Sequence, residues 1–226
     1  GGSIKMPADP GSNSPTAPIY LTEHADQAGA DGSLQVAPYY NKPTQEGLFQ
    51  HFRQIARSTR LPIVLYSVPG RCGVEIGVDT VKRLAQQCKN IVAIKEAGGN
   101  PDRASQLRAA LGPRFVILSG DDALTLAFMA LGARGVISVA SNVIPRQVAQ
   151  MVRAFAAGKA QAALKLHQQY YPLFKDLFIE TNPVPVKAAL AMMGHIEEEY
   201  RLPLVPMSAK NRATLRATMK AVGVLR

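Results

Sequence analysis

Five short apolar runs mark the first two-thirds of the chain: SLQVA (33–37), PIVLYSV (62–68), IVAI (91–94), FVIL (115–118) and GVISV (135–139). Each is bounded by turn-forming residues and reads as a strand. Between them the apolar spacing changes to three and four. Leu48, Phe52 and Ile55 share a face of a helix predicted from the Thr44 cap to residue 58, and Val81, Leu84 and Ala85 share a face of one over 79–88. Further helices are predicted over 16–28, 101–111, 123–131 and 145–157. Strand and helix thus alternate at roughly 25-residue intervals, the βα signature, and the strands read as apolar throughout, as in a parallel sheet covered on both faces. From residue 160 the strands stop. Leu166, Tyr170, Leu173, Leu177 and Phe178 keep helical spacing with Pro172 as a kink, residues 182–193 form another helix, and Ser208 caps a last one carrying Leu215, Met219 and Val222 on one face. The expected organisation is an irregular start over 1–10, a βα region over 11–158 and a helical region over 159–226. The fold class is α/β, either an open doubly wound sheet or a (β/α)8 barrel, and five strands are three short of a closed barrel.

Composition changes this picture little. The chain has 226 residues, 47% hydrophobic and 19% charged, ordinary for a globular chain with a substantial core. No apolar run reaches the ~20 residues of a membrane helix, and the start lacks the apolar segment of a signal peptide. The five residues before Met6 read as a leftover of cloning. Cys72 and Cys88 have no metal-ligand spacing and suit a reducing, cytoplasmic setting. The net charge of +10 is spread over residues such as Arg53, Arg57, Lys82, Arg83, Arg103, Arg108 and Arg216, which read as solvated helix faces. With no dense basic run and no aromatic-rich basic surface, a nucleic-acid partner is not expected. Such a field would draw in small anions, keto acids among them.

The candidate chemistry centres on Lys95, which follows the apolar run IVAI and precedes Gly98-Gly99. An amine held against apolar walls loses solvation, which disfavours its charged form, and a neutral amine can attack a carbonyl to form a Schiff base. A surface lysine just past a strand has the same local sequence. Other polar groups fall after the other strands: Tyr39 and Tyr40, Tyr66 and Arg71, Gly120, and Ile137 with Ser138. In a parallel βα fold these strand ends share one rim. There a phenol can relay protons and a guanidinium can hold a carboxylate through two hydrogen bonds. Each residue also has a plain structural reading: Tyr66 in the core, Tyr39 and Tyr40 in loop packing or an oligomer contact, Arg71 as a solvated turn residue. Asp121 and Asp122 read as helix caps rather than metal ligands, and Gly98-Gly99 as a weak phosphate cradle. His24, His51, His167 and His195 lie in helical stretches and receive no catalytic role.

The blocks PYYNKPTQEGL, VLYSVPGRCG, IVAIKEAGGN, LSGDDAL, GARGVISV and ETNPVPVK, in this order, resemble the dihydrodipicolinate synthase family over residues 11–225. The family's members are lysine-dependent pyruvate aldolases with a (β/α)8 fold and a C-terminal helical extension. N-acetylneuraminate lyases share the lysine and the strand tyrosine, but the PGRCG and SGDD blocks favour the synthase branch. The resemblance implies that Lys95 forms a Schiff base with pyruvate and that Tyr66 shuttles protons beside the pyruvate carboxylate. It implies that Arg71 binds the carboxylate of aspartate semialdehyde, and that Tyr40 is the tyrosine inserted across a dimer interface into the neighbouring site. Gly120 and Ile137 would line the pocket with backbone groups. The reaction would condense pyruvate with aspartate semialdehyde on the route to diaminopimelate and lysine, with no metal or organic cofactor.

The sequence departs from the family pattern at its start. The family's Gly-Thr-Thr-Gly-Glu block, which supplies a relay hydroxyl, has no match here, and about three N-terminal βα units are unmatched. The expected consequences are a shortened barrel whose edge strands need covering, a homo-oligomer, with exchanged segments as one route to that covering, and weak or absent turnover. For lysine feedback, Asn13 and Tyr39 match the family's ligands but the glutamate position is Ala17, so no inhibition by lysine is expected. The alternatives are another pyruvate-dependent aldolase of the superfamily, or a catalytically dead homologue kept for binding.

Overall fold

A computed structural model describes residues 14–225. The chain forms two compact units. The first runs to Gly120 and takes in Ala130–Arg134; the second holds Asp121–Met129 and Gly135 onward. The domain boundary expected after residue 158 falls inside the second unit.

The first unit is built on α1 (Thr16–Gln27), β1 (Ser33–Val36), α2 (Gln45–Ser58), β2 (Ile63–Ser67), α3 (Pro69–Cys72), α4 (Val78–Gln87), β3 (Ile91–Glu96), α5 (Asp102–Leu111) and β4 (Val116–Ser119). The four strands pair in chain order and all in parallel. Helices α2, α4 and α5 pack side by side, and α1 lies against α2 and β1. Thr44 caps α2 as expected, its side chain accepting a hydrogen bond from the Gly47 amide. Leu48, Phe52, Ile55, Leu65, Leu84, Ile94, Leu107 and Ile117 are all at most 1% exposed. Each contributes about 1.5–3 kcal/mol of burial free energy.

One expectation needs correction. The strands are not equally buried on both faces, because burial alternates along β1, β2 and β4. Ser33, Gln35, Ile63, Leu65, Ser67, Ile117 and Ser119 are buried, while Leu34, Val36, Val64, Tyr66, Val116 and Leu118 are only half-buried. The Pro69-Gly70-Arg71-Cys72-Gly73 stretch that follows β2 is ordered as a turn of helix. Pro69 opens the single helical turn α3, and Gly73, at φ 71°, closes it in the left-handed conformation that suits glycine.

The second unit contains α6 (Thr125–Ala130, its last residue in the first unit), β5 (Gly135–Val136), a 3₁₀ turn over Ala140–Asn142, α7 (Pro145–Ala156), α8 (Ala160–Asp176), α9 (Val184–Met192) and α10 (Ala209–Ala221). Its core gathers Ile144, Met151, Leu173, Phe174, Leu177, Leu215 and Met219. The helix α8 passes through Pro172 without interruption. The strand β5 stops after Val136, short of the expected 135–139, because the chain beyond is held another way. Asp122, 1% exposed, accepts hydrogen bonds from the Val139 and Ala140 amides, each at 3.0 Å, and a short one from the Ser138 hydroxyl. Asp122 therefore anchors that turn rather than capping α6, while Asp121 accepts from the Ala123 amide at 2.8 Å. Among the described residues no helix is long and apolar enough to cross a membrane, and no group of three His, Cys, Asp or Glu is placed to hold a metal ion.

Candidate active site

Lys95 lies within β3, not beyond it, and pairs directly with Tyr66 on β2. This pairing depends on an irregularity. Ile63 is opposite Ile91, but Val64 is opposite Ala93, so the register steps over Val92. In an unbroken register Tyr66 would face Ile94. Since successive side chains point to opposite faces, a slip of one residue would put the lysine and the tyrosine on different faces. The step places Val36, Tyr66, Lys95 and Leu118 in one row across the four strands.

In that row the Lys95 Nζ lies 4.0 Å from the centroid of the Tyr66 ring. An ammonium is attracted to the electron-rich ring face, and the contact holds the lysine end in place. Burial pushes the Tyr66 phenol above its ordinary value; the Arg71 guanidinium opposes that and Cys72 adds to it. Tyr66 therefore keeps its proton at neutral pH and is able to donate it. A cavity of about 310 Å³ opens beside the tyrosine, lined by Leu34, Val36, Tyr39, Tyr66, Val68, Arg71 and Cys72. It is mostly apolar with one guanidinium at its wall, the chemistry that suits a small carboxylate-bearing ligand.

Gly120 follows β4, and its amide donates to the Glu96 carbonyl at 2.7 Å. A Cβ on it would come within 2.6 Å of the Ala97 Cβ and 3.1 Å of the Lys95 Cε. Glycine is needed there chiefly because the Ala97 Cβ lies so close, with the lysine side chain just beyond it.

The remaining residues singled out in the sequence are placed differently. Tyr40 is 86% exposed and does not line the cavity that Tyr39 lines. Its φ of 71° and the 44° of Lys42 are left-handed values rare outside glycine, and strained loops of this kind cluster at functional surfaces. Ile137 lies in the second unit just after β5 and is half-buried there. Asn13 lies outside the described residues. Gly98 does not offer its amide to a phosphate, because that amide donates to the Glu96 carboxylate at 2.9 Å.

Sequence reasoning missed Glu96 and misread Arg103. Glu96 is fully buried, with its carboxylate against Arg103 at 3.2 Å. Burial holds its pKa above the ordinary carboxylate value, opposed in part by Arg103 and the Gly98 amide and reinforced by Glu75. Arg103 is 5% exposed and no solvated helix residue. The available signal was a carboxylate directly after Lys95 in an apolar strand, which must point to the opposite face and so needs a buried partner.

The model of the dihydrodipicolinate synthetase family matches residues 1–222. The chain belongs to that family. The match begins at residue 1, so residues 1–10, which lie before the stretch whose blocks carry the resemblance, are within the family's span. A protein of Aquifex aeolicus (strain VF5) named 4-hydroxy-tetrahydrodipicolinate synthase is 52% identical over 219 residues, 97% of this chain and 74% of that protein. The 4-hydroxy-tetrahydrodipicolinate synthase structure from the methanotroph Methylacidiphilum fumariolicum SolV superposes with a TM-score of 0.93 at 59% identity, covering 94% of this chain and 71% of that one. A chloride-inhibited dihydrodipicolinate synthase from Acinetobacter baumannii, solved with pyruvate, superposes with a TM-score of 0.93 at 43% identity, covering 97% of this chain and 75% of that one. By family the protein is a lyase of the dihydrodipicolinate synthase type, with an α/β fold on a parallel sheet.

Proposed function

We propose that the protein condenses pyruvate with aspartate semialdehyde through a Schiff base on Lys95. The observation that carries this reading is the pairing of Lys95 with Tyr66, the amine 4.0 Å from the ring centroid, beside a small cavity with Arg71 in its wall. The neutral amine adds to the keto carbon of pyruvate to form a carbinolamine, and loss of water gives the imine. The protonated imine then draws electrons from the methyl carbon, a proton leaves, and the resulting enamine attacks the aldehyde carbon. Water finally releases the product and restores the amine. Tyr66 passes protons to and from the carbinolamine oxygen, Arg71 holds the aldehyde's carboxylate, and the close-set backbone at Gly120 leaves room for the lysine. The lysine nitrogen is itself the electron sink, so no cofactor is required.

The half-buried sheet face bearing Val36, Tyr66, Lys95 and Leu118 corresponds, in this reading, to the inner face of part of a (β/α)8 barrel followed by a helical region. The exposed Tyr40 on its strained loop suits insertion into a second copy, so the working form is a homo-oligomer, housed in the cytoplasm. The 226 residues contain no Gly-Thr-Thr-Gly-Glu block. Asn13 and Tyr39 without a partner glutamate leave the chain insensitive to lysine.

The test is borohydride trapping with pyruvate, read by intact mass and peptide mapping, followed by a coupled assay with aspartate semialdehyde and with sugar-derived aldehydes. A pyruvyl adduct on Lys95 and product from the semialdehyde support the reading. An adduct with turnover of sugar substrates alone points to another aldolase of the superfamily. Folded protein that forms no adduct refutes the proposal and leaves a binding role.

A further inference from the structure

On the opposite face of the sheet from the candidate site lies a buried ionic group that the proposed chemistry does not use. Tyr66 and Lys95 are paired, and so are the residues that follow them, Ser67 and Glu96, both fully buried. One polar chain joins that second pair. The Ser67 hydroxyl accepts from the Ile76 amide at 3.3 Å, and the Ile76 carbonyl accepts from the Arg103 Nη2 at 2.8 Å. The guanidinium in turn donates to the Glu96 Oε2, from Nη2 at 3.2 Å and from Nε at 3.4 Å. The other carboxylate oxygen, Oε1, takes the Gly98 amide at 2.9 Å, and a Cβ at Gly98 would sit 2.9 Å from that same oxygen. The ring of contacts closes through the backbone, where the Ala97 amide donates to the Ser67 carbonyl at 2.9 Å. Glu75, 3.6 Å from Arg103, belongs to the same stretch as Ile76, only a few residues beyond Arg71.

We infer that Glu96 and Arg103 are positioning residues: through this buried chain they fix the ends of β2 and β3, and with them the Lys95 amine, the Tyr66 ring and the segment that carries Arg71. The inference rests on the Schiff-base reading for its catalytic consequence and on the geometry for the rest. Adjacent residues of one strand share a backbone, so a backbone shift at Glu96 carries Lys95 with it. A reacting group must be held to within about 0.5 Å, and a misplacement of ~1 Å costs on the order of 10²-fold.

The test uses the full chain with Arg103→Met, Arg103→Lys and Glu96→Gln. Arg108→Met serves as control, because Arg108 on the same helix bonds the Gly112, Phe115 and Gly132 carbonyls and touches neither strand end. Circular dichroism fixes a temperature at which each variant is folded. The pH profile of Lys95 acetylation by acetic anhydride, read by peptide mass, then reports the lysine's surroundings without pyruvate, and borohydride trapping reports its attack on pyruvate. Expected are a displaced profile and about 10²-fold slower trapping in R103M, about tenfold in E96Q, partial recovery in R103K, and a lower melting temperature with unchanged profile and trapping in R108M. Should R103M not fold, E96Q and R103K decide. Folded variants whose profile and trapping stay within about twofold of the parent overturn the inference. A parent chain that traps no pyruvate overturns the Schiff-base reading instead, and the acetylation profiles still decide the positioning role.

Discussion

Replacing Gly120 by alanine is the sharpest steric test of the site. The new Cβ meets the Ala97 Cβ at 2.6 Å, the Lys95 Cε at 3.1 Å and the Glu96 carbonyl oxygen at 3.2 Å. Carbon atoms rest about 3.5–4.0 Å apart, so β3 and the Gly120 segment must separate by roughly 1 Å at the point where Lys95 sits. The Ala97 Cβ has no rotamer to escape into, and the Gly120 amide is bonded to the Glu96 carbonyl at 2.7 Å, so the backbone takes up the shift. Overpacking of this kind costs about 1–3 kcal/mol, or a drop of roughly 4–8 °C at ~2 kcal/mol for a chain of this size. A displacement near 1 Å slows reaction about 10²-fold. The assay is the rate of borohydride trapping of pyruvate on Lys95, beside thermal unfolding followed by circular dichroism. Gly70→Ala is the control, since a Cβ there meets nothing within 4 Å and its φ is not positive. If G120A melts within about 1 °C of the parent and traps pyruvate at the parental rate, the close approach does not constrain the lysine and the reasoning fails.

Three further outcomes are expected. Arg71→Ala should leave pyruvate trapping within about twofold and raise KM for the semialdehyde on the order of 10-fold or more, the loss of a charge-assisted hydrogen bond of about 1.5–3 kcal/mol; steady-state kinetics with each substrate varied separates the two. Asp122→Ala leaves the Val139 and Ala140 amides and the Ser138 hydroxyl without their acceptor, so urea unfolding should show a loss of about 3 kcal/mol, with a smaller loss in D122N. His51 is held neutral, its pKa pushed down by burial from 6.5 to about 4, so the unfolded chain binds its proton first. The resulting stability is complete above pH 6.5 and lost as pH falls toward 4, by about 3 kcal/mol at most, and a pH series of melting curves should lose this slope in His51→Leu.

Much of the first unit was legible in the chain. The apolar runs located β1 to β4, and the three-and-four spacing of Leu48, Phe52 and Ile55 located α2, because burial against a sheet and burial against a helix stripe leave different periods. The half-buried sheet face was not legible: Val36, Val64 and Leu118 are apolar whether or not helices cover them. The charge spacing also misled. Arg103 has the same helical setting in sequence as Arg108, yet Arg103 is buried against the Glu96 carboxylate while Arg108 is half-buried against backbone carbonyls.

The meeting of Lys95 and Tyr66 shows where sequence reading stops. A strand end is a place on a rim, and the rim was readable from the alternation of strands and helices. The face each side chain takes depends on register, and here the register changes within the strand pair. Val92, 38% exposed, is the residue stepped over, and nothing in IVAI distinguishes it from its neighbours. Had the pairing run straight, Tyr66 would face Ile94 and the lysine would share its row with Ser67, on the buried face where Glu96 now pairs with Arg103. The Lys95–Tyr66 pair and the buried ionic group are therefore two results of one register step. The step brings the amine to the aromatic ring on one side and, one residue later, commits a carboxylate to the helix layer on the other. That commitment stabilises the step in turn, because slipping back would expose the lysine's charge to the helix layer and leave Arg103 without its partner, a buried-charge penalty of about 3–5 kcal/mol.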